Sequence, residues 1–127
     1  MRFLIILLLF IPTLLPAQQV FFCESVDRLG IPKNASKEFT IGSDGGFIKI
    51  LVKQNKEIGS ENVVFDVYKL ENGKEHFNNT LKMSIQPAVT WFYKEITFFK
   101  SGDYNVYVYD ERDKLLGVGT VKINLNP

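Results

Sequence analysis

The sequence contains few of the residues that usually carry catalysis or metal binding. Its 127 residues include a single cysteine, Cys23, and a single histidine, His76. One cysteine excludes an internal disulfide, and two candidate ligands are too few for a zinc site. A Cys–His nucleophilic pair would need Cys23 to reach His76 across the fold, and no motif around either residue supports it. We therefore expect no enzymatic activity, no metal and no cofactor.

An excess of charge of one sign is also missing. Fifteen basic residues face 14 acidic ones, for a formal net charge of +1. Nucleic-acid binding needs a concentrated basic stripe, so we expect no nucleic-acid partner. The acidic loop of Asp110, Glu111 and Asp113 could be read as a calcium site. However, Arg112 and Lys114 neutralise it and calcium prefers six to eight oxygen ligands, so a polar hairpin is the better interpretation.

Long apolar runs are confined to the N-terminus, which reads "MRFLIILLLFIPTLLPAQ". A basic Arg2, an apolar stretch over residues 3–15 and a Pro-Ala end predict a secretory signal peptide over residues 1–17. The mature domain then spans residues 18–127. A membrane anchor is the alternative, but the run is shorter than the roughly 20 residues that a spanning helix requires. We expect a secreted, periplasmic or cell-surface protein with no membrane span in its mature chain.

The state of Cys23 stays open at this point. A buried, inert thiol is the simplest interpretation, because free cysteine is among the most buried residue types. An intermolecular disulfide is the alternative in an oxidising compartment. Lipid attachment after a cut before Cys23 is a third, disfavoured because the bulky Phe22 precedes the cysteine.

The rest of the chain predicts β-structure. Short runs rich in Val, Ile, Phe, Tyr and Thr alternate with turn signals, and no long segment has helical periodicity. The dipeptide Asn72-Gly73 is a strong hairpin signal, because both residues accept positive φ. The predicted strands are residues 20–26, 37–41 as a short edge strand, 45–53, 62–70, 74–86, 91–99, 104–109 and 113–123.

The segment "FFKSGDYNVYVYD" carries a resemblance to a known architecture. Gly102-Asp103-Tyr104, after a turn and before an alternating strand, resembles the tyrosine corner of immunoglobulin-like sandwiches. The resemblance covers residues 48–123. It implies an all-β, immunoglobulin-like antiparallel β-sandwich of about seven or eight strands, with Tyr104 as a structural residue. The chain departs from antibody domains, since it lacks their inter-sheet disulfide and Trp91 comes too late to be the strand-C tryptophan.

One face of this sandwich is the candidate binding site. In immunoglobulin-like folds strands C, F and G share a sheet, and alternation fixes which side chains turn outward. A contiguous exposed apolar patch often marks a binding surface. The alternatives are that Tyr–Val pairs only stiffen the sheet, or that a loop covers the patch. The residues predicted to face outward are Val64, Asp66, Tyr68, Asn105, Tyr107, Tyr109, Leu116, Val118 and Thr120.

These observations favour a secreted or envelope-located, non-catalytic binding or adhesion module, with a protein or glycan partner at the cell envelope. An alternative is a structural or accessory subunit of an envelope complex that pairs through an edge strand such as residues 20–26. A small hydrolase or an enzyme inhibitor is a third. The fold class does not choose among them, and the sequence predicts neither the ligand nor the oligomeric state.

Overall fold

The computed structural model describes residues 19–127, which form ten β-strands and no helix. The predicted signal peptide, residues 1–17, lies outside the described residues. Within residues 19–127, no helix has the length and apolar character that a membrane crossing requires. The strands are β1 (Gln19–Cys23), β2 (Ser25–Val26), β3 (Pro32–Lys33), β4 (Glu38–Ile41), β5 (Gly46–Lys53), β6 (Asn62–Glu71), β7 (Lys74–Ser84), β8 (Trp91–Phe98), β9 (Gly102–Asp110) and β10 (Leu115–Leu125).

Eight of the strands form the two sheets of a sandwich. One sheet has the order β1-β5-β8 and the other the order β4-β10-β9-β6-β7, while β2 and β3 form a separate small hairpin. This arrangement confirms the predicted immunoglobulin-like, all-β architecture. The prediction of a wholly antiparallel sandwich was wrong at one edge, where β4 runs parallel to β10 with Glu38 beside Lys122.

The parallel pair follows from the path of the chain between the sheets. The Ser36 amide donates to the Phe22 carbonyl on β1 at 3.0 Å, and the Lys122 amide donates to the Lys37 carbonyl at 2.8 Å. Neighbouring residues therefore contact the edges of two different sheets. Since the chain changes sheets here before β4 begins, β4 joins β10 as an added edge strand rather than through a hairpin.

Alternating side chains from both sheets fill the core. In β5, β6 and β9 every second residue is buried over 48–52, 63–67 and 104–110, as the period-2 pattern predicted. Phe65 and Phe92 meet edge to face across the core, with ring centroids 6.0 Å apart. Each such buried side chain contributes on the order of 1.5–3 kcal/mol. The predicted inward residues that are buried are Ile48, Ile50, Val52, Val63, Phe65, Val67, Phe92, Ile96, Phe98, Val106, Val108, Val121 and Ile123.

The predicted first strand, residues 20–26, is interrupted at Glu24, after which β2 and β3 form a hairpin. The Asp27 carboxylate closes its turn by accepting the amides of Leu29 at 2.8 Å and Ile31 at 3.0 Å. Gly30 adopts a positive φ of 79° and lies on the Trp91 ring, where a Cβ would come within 2.7 Å of ring atoms. The hairpin therefore lies against the three-stranded sheet, a feature that strand periodicity did not predict.

This hairpin explains two buried residues that alternation turns away from the core. Cys23 and Leu51 are both fully buried, and β2 and β3 contact the strands that carry them. The Cys23 thiol is free and donates to the Lys49 carbonyl at 3.7 Å. Burial raises the pKa of the thiol, although the positive charge of Lys49 opposes the shift. The structure thus supports the interpretation of Cys23 as a buried thiol.

The central strand β9 is fixed at both ends. At its start, Tyr104 is 2% exposed and its hydroxyl donates to the Lys100 carbonyl at 2.7 Å, which confirms the predicted tyrosine corner. At its end, the buried Asp110 carboxylate accepts the amides of Arg112 at 2.8 Å and Lys114 at 2.9 Å. Burial raises the pKa of Asp110, but these hydrogen bonds and the Arg112 charge outweigh it and hold the pKa below its usual value. Asp110 therefore stabilises the β9–β10 turn by accepting two of its backbone amides.

Candidate outer-face binding site

Four strands of the five-stranded sheet bring the predicted binding residues onto one surface, called the outer face below. Cross-strand pairing places Asp66 beside Tyr107 and Tyr107 beside Val118. The same pairing places Val64 beside Tyr109, and Tyr68 beside Asn105. The structure therefore brings all but one of the predicted residues together. The outer face consists of Val64, Asp66, Tyr68, Glu75, Phe77, Asn105, Tyr107, Tyr109, Leu115, Val118 and Thr120.

The prediction that Leu116 faces outward was wrong. The register of β10 against β9 shifts between Leu115 and Gly117, which makes Leu116 the extra residue of a β-bulge. Leu116 is 2% exposed and joins the core, whereas Leu115, 37% exposed, takes the outward position beside Tyr109. The side-chain amide of Gln54 donates to the Leu116 carbonyl at 3.1 Å. A bulge thus reverses the alternation that the sequence pattern assumed.

A second bulge adds two residues that sequence reasoning missed. In β7, Asn79 pairs with Val67 and Phe77 with Tyr68, so Asn78 is the extra residue. Strict alternation from the partly buried Leu81 would turn Phe77 and Glu75 inward. The bulge turns both outward instead, and Phe77 becomes 62% exposed. The only sequence signal was the pair Asn78-Asn79, which does not by itself identify a bulge.

Three aromatic rings form a continuous cluster on the outer face. Tyr68 meets Phe77 at 5.7 Å between ring centroids with an interplanar angle of 77°, and meets Tyr107 at 5.5 Å and 87°. Such edge-to-face pairs are worth about 0.5–1.5 kcal/mol each beyond area burial. The rings therefore hold one another in place while Phe77 and its neighbours stay accessible.

A polar network crosses the same cluster. The Tyr107 hydroxyl donates to Glu75 Oε2 at 2.5 Å, and the Asn105 amide donates to the same oxygen at 2.7 Å. The Thr120 hydroxyl in turn donates to Asn105 Oδ1 at 2.6 Å. Separately, the Thr80 hydroxyl donates to Asp66 Oδ1 at 2.7 Å. The network links strands β7, β9 and β10 across the surface.

The network fixes the protonation states of the outer face. The hydrogen bond to Glu75, with partial burial and the negative charge of the carboxylate, raises the pKa of Tyr107 to about 12. The hydrogen bonds from Tyr107 and Asn105 lower the pKa of Glu75. Burial, followed by the charge of Asp66, raises the pKa of Tyr109. At neutral pH the face therefore presents an ionised Glu75 beside a neutral Tyr107.

The two residues considered for nucleophilic chemistry are not brought together. Cys23 lies on the three-stranded sheet and is fully buried. His76 lies on β7, the far edge strand of the other sheet, and its Nε2 is 3.9 Å from Glu71 Oε1. Within residues 19–127, no group of three or more His, Cys, Asp or Glu side chains could hold a metal ion.

A groove of about 470 Å³ lies at the seam between β1 and β10, bounded by the crossing at residues 35–37. Val20 and Phe22 line one wall, and Val118 and Thr120 line the other. Pairing of β10 with β4 involves only residues 122–125, so among the described residues the segment 117–121 of β10 has no strand partner on this side. The groove is therefore flanked by strand edges.

Comparison with known proteins supports the architecture. No family model matches the sequence, and no curated protein matches it either. A Niemann-Pick type C2 protein from the Japanese carpenter ant superposes with a TM-score of 0.50 at 11% identity, over 87% of this chain and 96% of that one. A CARDB domain from Pyrococcus furiosus, in complex with di-metal ions, has a TM-score of 0.44 at 14% identity, over 87% and 96%.

A superoxide reductase (neelaredoxin) variant from Ignicoccus hospitalis has a TM-score of 0.44 at 13% identity, over 73% of this chain and 77% of that one. The likeness to the ant protein shows a shared all-β, immunoglobulin-like fold. At this identity it shows the fold alone, and the two likenesses with lower TM-scores carry no argument. The shared fold does not by itself identify a function.

Proposed function

We propose that the chain is a secreted or envelope-located, non-catalytic binding module whose outer face contacts a partner protein. The observation that carries this proposal is the contiguous aromatic and aliphatic surface across β7, β6, β9 and β10. Phe77 is 62% exposed and Val118 is 47% exposed, on either side of the tyrosines. A solvated sheet face normally carries polar and charged side chains, and a contiguous exposed apolar patch marks an interaction site.

The composition of the outer face fits a protein interface. Tyrosine and other aromatic residues are enriched at interfaces, because they offer a large stiff contact area, and tyrosine adds a polar tip. Here apolar side chains at the centre are accompanied by Asn105, Thr120 and Glu75, which can make directional hydrogen bonds. This mixture of apolar and hydrogen-bonding side chains is typical of a protein interface.

The dimensions of the face are also suitable. Strands β6 and β9 pair over eight residue positions, which corresponds to a length of about 27 Å, and the four strands of the outer face span about 14 Å. The flat area is then about 400 Å², and side chains that rise above the sheet increase its accessible surface. A standard interface buries about 800 Å² on each partner, so the outer face could supply at least half of one.

The site is preorganised, which favours binding. The edge-to-face rings and the Glu75 network hold Tyr68, Tyr107 and Asn105 in single arrangements before any partner arrives. Immobilising a flexible interface side chain costs about 0.5–1.5 kcal/mol. A face whose side chains are already ordered avoids much of that cost.

Export is the second part of the proposal, and the N-terminal sequence supports it. The basic and apolar pattern of residues 1–17 has the order of a secretory signal, ending in Pro16-Ala17. Fractionation of cells that produce the chain with a C-terminal epitope tag tests it. We expect tagged protein in the periplasm, on the surface or in the medium, starting at or near residue 18. Retention of the intact N-terminus in the cytoplasm would contradict the export proposal.

Affinity capture with matched variants tests the binding proposal. Phe77→Ser changes an exposed phenylalanine on the outer face, and Phe47→Ser changes one of similar exposure, 56%, on the other sheet. Phe47→Ser should keep the wild-type free energy of unfolding within about 0.5 kcal/mol, as expected for a surface site, and Phe77→Ser, which loses its edge-to-face contact with Tyr68, should cost no more than about 1.5 kcal/mol. We expect Phe77→Ser to lose the captured partner while Phe47→Ser retains it. Equal retention by both, or a captured glycan instead of a protein, would overturn the proposal.

The groove at the β1–β10 seam supports a second candidate function, an accessory subunit that pairs through a strand edge. Unpaired edges bind extended segments of other chains through backbone hydrogen bonds. Hydrogen exchange of the isolated protein tests this candidate. A monodisperse monomer in which the β1 amides that do not bond to β5 are already protected would argue against it, whereas protection of those amides or of residues 117–121 that appears only in a complex would support it.

A further inference from the structure

Glu75 and the aromatic cluster beside it form the most specific feature of the outer face. We propose that they receive an arginine side chain of the partner protein, with the guanidinium paired to Glu75 and lying on the ring of Phe77. This inference rests on the proposed function, because it assigns a partner chemistry to the same face. The geometry of the carboxylate, the position of the rings and the distribution of charge all support this assignment.

The Glu75 carboxylate is held in one orientation, but only one of its two oxygens accepts hydrogen bonds. Both hydrogen bonds that it accepts, from Tyr107 and Asn105, end on Oε2. Among the described residues, no donor to Oε1 and no ion-pair partner of Glu75 is found. Two basic side chains near the end of this hairpin, Lys69 and His76, lie near Glu71 instead, with nitrogen–oxygen distances of 3.7 and 3.9 Å. A fixed carboxylate therefore presents an open oxygen to solvent.

An aromatic surface lies within reach of the same oxygen. Glu75 and Phe77 are two residues apart on β7 and turn to the same side, which separates their Cα atoms by about 7 Å. The Tyr68 ring packs edge to face against Phe77 and leaves Phe77 62% exposed. A cation within about 6 Å of a ring centroid is attracted by the ring quadrupole. One side chain can thus meet the carboxylate and the ring together.

The charge on the outer face favours a positively charged side chain of the partner. The rows of side chains around the aromatic cluster contain three carboxylates, Asp66, Glu75 and Asp103, and one basic residue, Lys122, at the far end of the row that holds Glu75. Cross-strand pairing places Lys82 beside Val64 and Lys122 beside Asp103, one at each end of the face. Lys122 stands three strands from Glu75, about 14 Å away. The centre of the face is therefore acidic and aromatic, which complements a positive side chain.

Arginine fits this arrangement better than lysine. The guanidinium is planar, stacks on aromatic faces and is more weakly hydrated than an ammonium group. It can donate one N–H to Oε1 while its plane rests on Phe77. Lysine would offer a strongly hydrated point charge with no planar surface. Arginine is also among the residues enriched at protein interfaces.

A titration followed by NMR tests the proposal with defined probes. The ¹⁵N-labelled protein is titrated at low ionic strength with acetyl-Gly-Arg-Gly-amide, and then with the lysine and citrulline peptides. The side-chain amide of Asn105 is the reporter, since it donates directly to Glu75. We expect the arginine peptide to shift this signal and the Phe77 backbone signal in a saturable way. The citrulline peptide, which has the same shape without the charge, should bind at least fivefold more weakly.

Two matched variants decide the assignment. Glu75→Gln keeps the acceptor for Tyr107 and Asn105 but removes the charge, and should weaken arginine binding at least fivefold. Glu95→Gln changes an exposed carboxylate on the other sheet and should have no effect. Equal shifts for all three peptides, no shift at Asn105, or equal binding by both variants would overturn the arginine site. The protein-binding proposal would still stand if Phe77→Ser lost the partner that Phe47→Ser keeps, so the two failures are distinguishable.

Discussion

The bulge in β10 makes a sharp prediction about which of three apolar side chains on this strand is buried. We consider replacement of Leu115, Leu116 and Val118 by threonine, one at a time. The structure places Leu116 in the core at 2% exposure and leaves Leu115 and Val118 at 37% and 47%. Threonine is β-branched, a shape that strands favour, so differences among the variants should report burial.

The expected magnitudes are well separated. Truncation of a buried leucine costs about 2–5 kcal/mol, and an unpaired buried hydroxyl adds about 1–3 kcal/mol. We therefore expect Leu116→Thr to cost at least about 2 kcal/mol, a large part of the roughly 5–15 kcal/mol that stabilises an average domain. Val118→Thr should stay within about 0.5 kcal/mol and Leu115→Thr below about 1 kcal/mol, as for substitutions at partly exposed positions.

Urea unfolding followed by tryptophan fluorescence and circular dichroism measures these differences. Equal denaturant dependence among the variants is required, because a changed slope would indicate a changed unfolded or native state. Strict alternation without the bulge gives the opposite order, with Leu115 costly and Leu116 tolerant. If Leu115→Thr destabilises the protein more than Leu116→Thr does, the bulge and the outer face built on it are wrong.

Three further predictions concern the frame that holds the outer face. Tyr104→Phe removes the hydroxyl that donates to the Lys100 carbonyl and should cost about 0.5–1.5 kcal/mol in urea unfolding, while a cost near zero would argue against the tyrosine corner. Asp110→Ala leaves two hairpin amides without their acceptor and should cost about 1–3 kcal/mol at pH 7. Because the folded pKa of Asp110 is depressed, this stabilisation is fully present above the ordinary carboxyl pKa of about 3.9 and is lost as the pH falls through the folded value. A difference in unfolding free energy between wild type and Asp110→Ala that grows on acidification would contradict this prediction. The Cys23 thiol, buried and with a raised pKa, should not react with Ellman's reagent in the native protein and should react fully in urea, and rapid native labelling would refute its burial.

Much of the sandwich could be predicted because its signals are local. The Asn72-Gly73 hairpin depends on two residues with positive φ, and the structure gives them φ values of 55° and 79°. The tyrosine corner depends on a short segment that ends at Tyr104. Alternation in β6 and β9 follows from burial of one face, which tolerates no slip in register.

The features that were not predicted depend mainly on contacts between residues far apart in the sequence. The two bulges that turn Leu116 inward and Phe77 outward are set by packing against neighbouring strands, and each reverses the alternation on one side of it. The β2–β3 hairpin depends on the turn at Asp27 and on a surface that Trp91 provides from another strand. The Asp27 turn is local, since its hydrogen bonds join residues two and four positions apart, whereas the contact with Trp91 has no signature in the local sequence.

The candidate site was likewise predictable only in part. The tyrosines of β9 could be placed on the outer face from period-2 alternation alone. Glu75 could not be connected to Tyr107 or Asn105, because its side chain reaches from β7 past β6 to β9. The sequence therefore predicted which surface is apolar, whereas the fixed carboxylate at its centre became visible only in three dimensions.

Site-specific photo-crosslinking in the producing cell tests the central claim, that the outer face is the binding surface, most directly. A benzoylphenylalanine at position 118 stands on the outer face, and one at position 97, in place of Thr97, stands on the outward side of the other sheet. The account predicts a crosslinked protein species of defined mass from position 118, its loss when Phe77→Ser is added, and no such species from position 97. The same species from position 97, or from position 97 alone, would contradict the account.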